Sequence, residues 1–469
     1  MAPRISRRTT AAPVVRTGTL PTIPPHPSPP PGGRVLSFPR PLGAALLALV
    51  APLASAQERP IAWLGAHLIP VSAPEIPDGA IVFHRGRIAA LGARGAIAIP
   101  ADAEVRELGG RVVMPGLVCT HSHIGGAAGA DESSPIQPDV RVADAIDVRS
   151  SGFPKARAGG LTLVNVMPGS GHLLSGQTIY LKLRRGRTLE ELLVRDENGR
   201  AMGGIKMANG TNSRGNPPFP GTRAKSAALV REEFVRAQDY RAKLDAAAAG
   251  NGDAPARDLR LEALVEVLRG QRVVHHHTHR HDDILTVLRL AEEFGFRVVL
   301  HHVSDGALAA REIAAAKAPC SLIVIDSPGG KQEALGMRLD TGAVLEQHGV
   351  LVAFHTDDGI TDSRWFLRAA ALGARGGMSR AGALKSATLA GAEMLDLGAR
   401  TGSLEVGKDA DFCVLSGDPL SVYSRVLETW VEGQKVFDLA DPEDRLYAVG
   451  GPGASQGETY VSCCEGVTR

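Results

Sequence analysis

The chain has 469 residues and an apolar fraction of 44%, enough for one large domain and a smaller one, which excludes a disordered or fibrous protein. Its formal net charge is +2, but residues 1–56 hold six arginines and no acidic residue, so the remainder carries −4. That balance offers nothing to a nucleic-acid partner, and no run after residue 56 is long and apolar enough to span a bilayer.

In chain order, Thr22 to Gly33 is proline-rich and suits extended conformations rather than packing. Arg34 and Arg40 then precede the apolar run Leu42 to Leu53, which ends in Ala54-Ser55-Ala56. A basic flank, an apolar run and small residues at alternate positions form a secretory pattern, so 1–56 reads as a leader with cleavage after Ala56 and a periplasmic or secreted destination. An ordinary apolar helix, with a cytoplasmic protein, is the alternative. The five cysteines show no metal-binding spacing, and Cys463-Cys464 sits in a polar tail, so an oxidising compartment is permitted but not required.

From 57 to 113, Ile61 to Pro70, Gly79 to Phe83, Arg87 to Gly92 and Val105 to Leu108 are short strands separated by turn residues. The rhythm changes from 114 to 400, where apolar strands alternate with helical patterns. Val112 to Thr120 and Leu161 to Val166 start the series, with Thr178 to Leu183 and Gly204 to Ala208 as weaker third and fourth strands. Arg272 to His277, Arg297 to His302, Ser321 to Asp326 and Leu351 to Asp357 complete it. Between them, Asp282 to Phe294 places Ile284, Val287, Leu288 and Ala291 on one helix face before Gly295 stops it. Short strands return in 401–442, at the end of Gly402 to Leu415, at Val426 to Val431 and at Lys435 to Phe437, before a tail at 443–469. The expected fold class is therefore α/β: a (β/α)8 TIM-like barrel with a small β-sandwich domain formed by both terminal parts, neither of which buries a core alone.

In such a barrel the chemistry lies at the carboxyl ends of the strands. His121 and His123, two apart in Met114-Pro115-Gly116-Leu117-Val118-Cys119-Thr120-His121-Ser122-His123, end the first strand and can face the same way. Lys206 lies on the fourth strand, and His277, His302 and Asp357 end three of the last four. Imidazole and carboxylate are ligands for zinc and similar ions, which depress the pKa of bound water and polarise a carbonyl.

Pro-Gly-Leu followed by His-x-His, histidines ending two later strands, Asp357, and the terminal Gly402-Ser403-Leu404-Glu405-Val406-Gly407-Lys408-Asp409-Ala410-Asp411 together resemble the amidohydrolase superfamily from residue 60 to about 440. Within it, Lys206 and His355-Thr356-Asp357-Asp358 look most like a group including imidazolonepropionase-related proteins, dipeptide-cleaving enzymes and hydrolases of phenylureas or thiocarbamates. The resemblance implies that His121, His123 and Asp357 hold one metal, that His277 and His302 serve a second, and that a carboxylated Lys206 bridges them. It also implies that Asp357 is the catalytic base and acid when metal-bound hydroxide attacks an amide, cyclic amide, urea or carbamate carbonyl. Zinc is the expected ion, with cobalt or manganese accepted by the same ligands, and the count is one or two. Lys206 is otherwise an ordinary strand-end lysine, and Cys119 stands where the family often has Asp.

Strand alternation assigns His276 and His301 to the core or the helix side. His279, with Arg280, either contacts substrate or faces water. Arg364 either binds a substrate carboxylate or pairs with Asp358 or Asp362, Asn209 is a candidate wall of the site, and His355 is placed to orient a ligand. The expected partner is a small amide-like molecule, and a homo-oligomer is compatible with the sequence. A deaminase is the enzymatic rival, but His277-Thr278-His279-Arg280 lacks the glutamate such members place beyond the strand-five histidine. A catalytically inactive periplasmic binding protein is the non-enzymatic rival.

Overall fold

Residues 59–126, 131, 133–323 and 331–455 are described by a computed structural model. The leader, Cys463-Cys464 and the end of the strand expected at Ser321 to Asp326 lie outside the described residues.

Both terminal parts of the chain build one eight-stranded sheet. Val112–Pro115 is the seam: it runs beside Ile61–Leu68 and pairs antiparallel with Phe412–Leu415, Val112 opposite Leu415. On the buried face Trp63 meets Phe83, Phe412 and Trp430 edge-on, with ring centroids 5.1, 4.9 and 5.1 Å away. Edge-to-face packing of this kind adds about 0.5–1.5 kcal/mol per pair beyond the area buried. The strand expected at Val112 to Thr120 is in fact two, broken at Gly116, where a Cβ would come within 2.2 Å of the Thr162 side chain. Its second half, Leu117–Ser122, opens the barrel.

Parallel barrel strands follow at Leu161–Val166, Ile205–Ala208, Val274–Thr278, Val298–His302, Cys320–Leu322 and Val352–Phe354. The third position departs from the expected plan. Leu174–Gln177 pairs antiparallel with Ile205–Ala208, and Ile179–Lys182 pairs antiparallel with Leu161–Val166. The connection from Leu161–Val166 to its antiparallel partner Ile179–Lys182, residues 167–178, carries Leu174–Gln177 and no crossover helix, so the chain returns antiparallel. Elsewhere the helices are long enough: His281–Phe294 buries Ile284, Val287 and Leu290 and ends at Gly295, whose φ of 71° makes the left-handed cap. Among the described residues no helix is long and apolar enough to cross a membrane.

The Gly407-to-Asp411 segment clamps the sheet to the barrel. Buried Lys182 donates to Asp409 at 2.8 Å and also to Asp411. Arg400 and Arg87 reach Asp409 at 2.8 and 2.9 Å, while Thr401 Oγ1 and the Glu432 amide donate to Asp411 at 2.7 and 2.8 Å. These acidic residues are therefore occupied by the fold.

Candidate metal centre

The barrel closes between its last and first strands through loop bonds. The Asp357 amide donates to the His121 carbonyl at 3.0 Å, and the Thr356 amide to Cys119 Sγ at 3.3 Å. This crossing sets the Asp357 carboxylate over the first strand's end: Oδ1 lies 2.9 Å from His123 Nε2 and 3.3 Å from His121 Nε2. His123 is oriented through Nδ1, 2.8 Å from the Met167 carbonyl oxygen, so its Nε2 faces the cluster. Lys206 Nζ lies 3.1 Å from His121 Nε2 and 3.1 Å from Met167 Sδ. Met167 was not singled out from sequence; its place just after Leu161–Val166 was the available signal.

A second cluster adjoins the first. His277, His279 and His302 each offer a ring nitrogen, all within 4.8 Å of one another, and two ring nitrogens and a carboxylate oxygen of His121, His123 and Asp357 converge equally closely. His302 Nδ1 is 4.0 Å from Asp357 Oδ2 and 3.3 Å from His355 Nε2. His355 is held in turn by Ser321 Oγ at 2.7 Å from its Nδ1, and Ser321 by Thr120 Oγ1 at 2.5 Å. His302, Val303 and Asp357 have φ values of 71°, 50° and 50°, a left-handed backbone that non-glycine residues adopt at a cost of about 1–3 kcal/mol each.

That backbone explains an error of alternation. His301 was assigned to the core or helix side, yet its ring is 5.1 Å from that of His121, and His121, His301 and His355 form another convergent group. The left-handed turn at His302 swings its side chain back toward the axis, so consecutive histidines both face inward. His301 Nε2 is also 3.0 Å from His275 Nδ1, and His275 Nε2 is 3.2 Å from Tyr180 OH. Outside this set, His276 bonds the His277 carbonyl oxygen.

Burial governs the electrostatics. It pulls His275, His276, His279 and His355 down to about 3, and His121, His277, His301 and His302 well below the usual histidine range. These imidazoles are neutral at pH 7, the form that binds a metal. Burial pushes the Cys119 thiol up to about 12, so it stays protonated and donates to the His121 carbonyl at 3.1 Å. Asp358, also pushed up by burial, accepts from Ser122 and Thr356 at 2.5 and 2.7 Å.

Of the residues expected to contact substrate, only His279 joins the histidines. Arg280 is exposed and paired with Asp282 at 3.0 Å. Asn209 donates to the Asp283 carbonyl at 3.0 Å and lines a separate cleft with Arg223 and His276. Arg364 takes the Asp362 alternative, at 2.5 Å, and faces a groove with Trp365 and Leu427. A buried acid not foreseen, Glu333, accepts from the Thr211 amide at 2.8 Å and fixes the loop after Lys206.

Residues 316–437 match the family model described as amidohydrolase family. The amidohydrolase tasK of Hapsidospora irregularis is 28% identical over 370 residues, 72% of this chain but 38% of tasK, so the chain spans well under half of that relative. The crystal structure of an amidohydrolase from Thermotoga maritima MSB8 superposes with a TM-score of 0.74 at 31% identity, covering 81% of this chain and 100% of that one. Molinate hydrolase superposes with a TM-score of 0.52 at 15% identity over 86% of this chain and 98% of its own, a likeness of fold. With nearly a third of positions shared along the whole Thermotoga chain, and clustered imidazoles and a carboxylate at the barrel's mouth, this chain belongs to the amidohydrolase superfamily.

Proposed function

We propose that the protein is a metal-dependent hydrolase acting on the carbonyl of an amide, cyclic amide, urea or carbamate. The observation that carries this reading is the meeting of His121, His123 and Asp357 at the carboxyl end of the barrel. The residues fit a divalent ion. Their donors are imidazole nitrogens and a carboxylate, and ring nitrogens of His277 and His302 are buried with no hydrogen-bond partner. An unsatisfied buried polar atom costs about 1–3 kcal/mol, a cost that an ion in that place removes.

In this reading His121, His123 and Asp357 hold one ion and His277 and His302 a second, with zinc, cobalt or manganese accepted. Lys206 as an ammonium would hold off an ion beside His121 Nε2, whereas a carbamate on its Nζ would offer an anionic ligand there. When bound, the ions polarise the substrate carbonyl and acidify water near neutral pH. Asp357 is placed for the proton: Oδ1 faces His121 and His123, and Oδ2 turns toward His302. From there it takes the proton of the attacking water and returns it to the leaving nitrogen. Ser321 fixes His355, and His355 occupies His302 Nδ1, so the ring that faces Asp357 has one orientation.

The test is a substrate panel on chelator-stripped protein reloaded with zinc, cobalt or manganese. N-acyl amino acids, dipeptides, cyclic amides, aryl ureas and carbamates are assayed beside aminated heterocycles. The expected result is cleavage of an acylated amine that disappears on chelation and returns with metal. Ammonia release from heterocycles alone, or amide cleavage indifferent to chelation, would overturn the reading.

A further inference from the structure

We infer that His279 is a metal ligand and that His277, His279 and His302 form a three-imidazole site for the second ion, an assignment resting on the metal-hydrolase reading above. The rings of His277 and His279 are 4.7 Å apart, those of His277 and His302 4.3 Å, and those of His279 and His302 5.0 Å and nearly parallel. Both ring nitrogens of His277, and Nε2 of His279 and of His302, are buried without a hydrogen-bond partner. Orphaned donors and acceptors gathered in one place are rare in a folded protein, and here they converge within reach of a single ion.

The nitrogens of His279 and His302 that do have partners use them in the way ligating histidines do. His279 Nδ1 lies 2.7 Å from Ser304 Oγ, which turns Nε2 into the cluster. His302 Nδ1 lies 3.3 Å from His355 Nε2, with the same consequence. Nor is His279 on a loose loop. The Val303 amide donates to the Thr278 carbonyl and the Asp305 amide to the His279 carbonyl, both at 2.9 Å, so the loops after the two strands are laced together. A side chain kept for substrate would present a face to the cavity, but His279 is 5% exposed and covered by the two other rings.

The two sites then differ in kind. One contains the Asp357 carboxylate, whereas the side chains that belong to the other alone are three imidazoles, a set that favours zinc or cobalt over the oxygen-seeking manganese. The experiment uses the full chain loaded with cobalt(II), read by elemental analysis, by visible d–d absorption and by competition with a chromophoric chelator. Wild type should hold two ions, and His279→Ala and His279→Gln one, with the affinity of the affected site down at least tenfold. Ser304→Ala should weaken the same site about 10–100-fold, and His84→Ala, on the remote sheet, should change nothing.

Two ions retained by both His279 variants at unchanged affinity would overturn the assignment and leave the metal-hydrolase reading intact. No ion in wild type would overturn both. Should wild type hold a single ion, its loss in His279→Gln supports the three-histidine site, and its loss only in His123→Ala refutes it. Matching thermal melts of the metal-free proteins show that each variant is folded.

Discussion

Replacing Lys182 by Met tests the link between barrel and sheet. Lys182 is fully buried, and its Nζ is shared by Asp409 and Asp411. Asp409 keeps Arg400 and Arg87 after the change, at 2.8 and 2.9 Å, whereas Asp411 keeps only a hydroxyl and an amide. Removing one partner of a buried ion pair costs about 3–5 kcal/mol, because the other charge stays buried and uncompensated. Burial already pushes the Asp411 pKa up, and Lys182 opposes that shift. Without Lys182 the folded pKa rises further above its unfolded value near 3.8. The folded state then binds the proton first, so the deficit of Lys182→Met relative to wild type should shrink as pH falls from that raised pKa toward the unfolded one. Urea denaturation of wild type, Lys182→Met and Lys182→Met/Asp411→Asn at pH 8 and pH 5 measures this. The deficit of the single variant relative to wild type should be largest at pH 8, where the double variant should regain more than half of it. A single-variant loss below about 1 kcal/mol at pH 8, in the range of a surface pair, would refute the clamp.

Metal-free protein should be acid-labile. With His275 and His276 held near 3 in the folded state and free at about 6.5 when unfolded, the unfolded state binds protons first below pH 6.5. By linkage these two residues withdraw about 4 kcal/mol on going to pH 5, so the urea midpoint should fall steadily from pH 7 to pH 5. Cys119→Asp would place a second carboxyl beside buried Asp358 and should destabilise by about 3 kcal/mol or more, while Cys119→Ser, which keeps a donor for the His121 carbonyl, should stay within about 1.5 kcal/mol in the same assay. Ser321→Ala leaves His355 Nδ1 without its 2.7 Å partner and should cost about 1–3 kcal/mol in thermal or urea unfolding.

The fold was legible where periodicity and punctuation agree. Gly295 after an amphipathic run marked the helix end, and the β-rich flanks implied that both terminal parts meet, as Val112–Pro115 and Phe412–Leu415 do. The third barrel strand was found but not its direction, which depends on the helix-free connection of residues 167–178 rather than on the strand's own residues. In the centre, His121, His123, His277, His302 and Asp357 each stand at a strand end, which is why sequence picks them out, and they gather into adjoining clusters. His301 was lost because alternation presumes extended backbone, and His302 is left-handed. Asn209, Arg280 and Arg364 were reasonable from loop position, but each is engaged by a nearby acidic residue or its backbone, a competition that local sequence does not reveal.

The most direct test of the account is Asp357→Asn in metal-loaded protein, with bound metal, thermal stability and turnover of an active amide substrate measured on the same preparation. The neutral amide keeps the shape and a ligating oxygen but cannot take the water's proton. A fall of about 10²–10⁴-fold in kcat, with the fold retained and metal still bound, is the predicted result. Turnover within a fewfold of wild type under those conditions would contradict the assignment of proton transfer to Asp357.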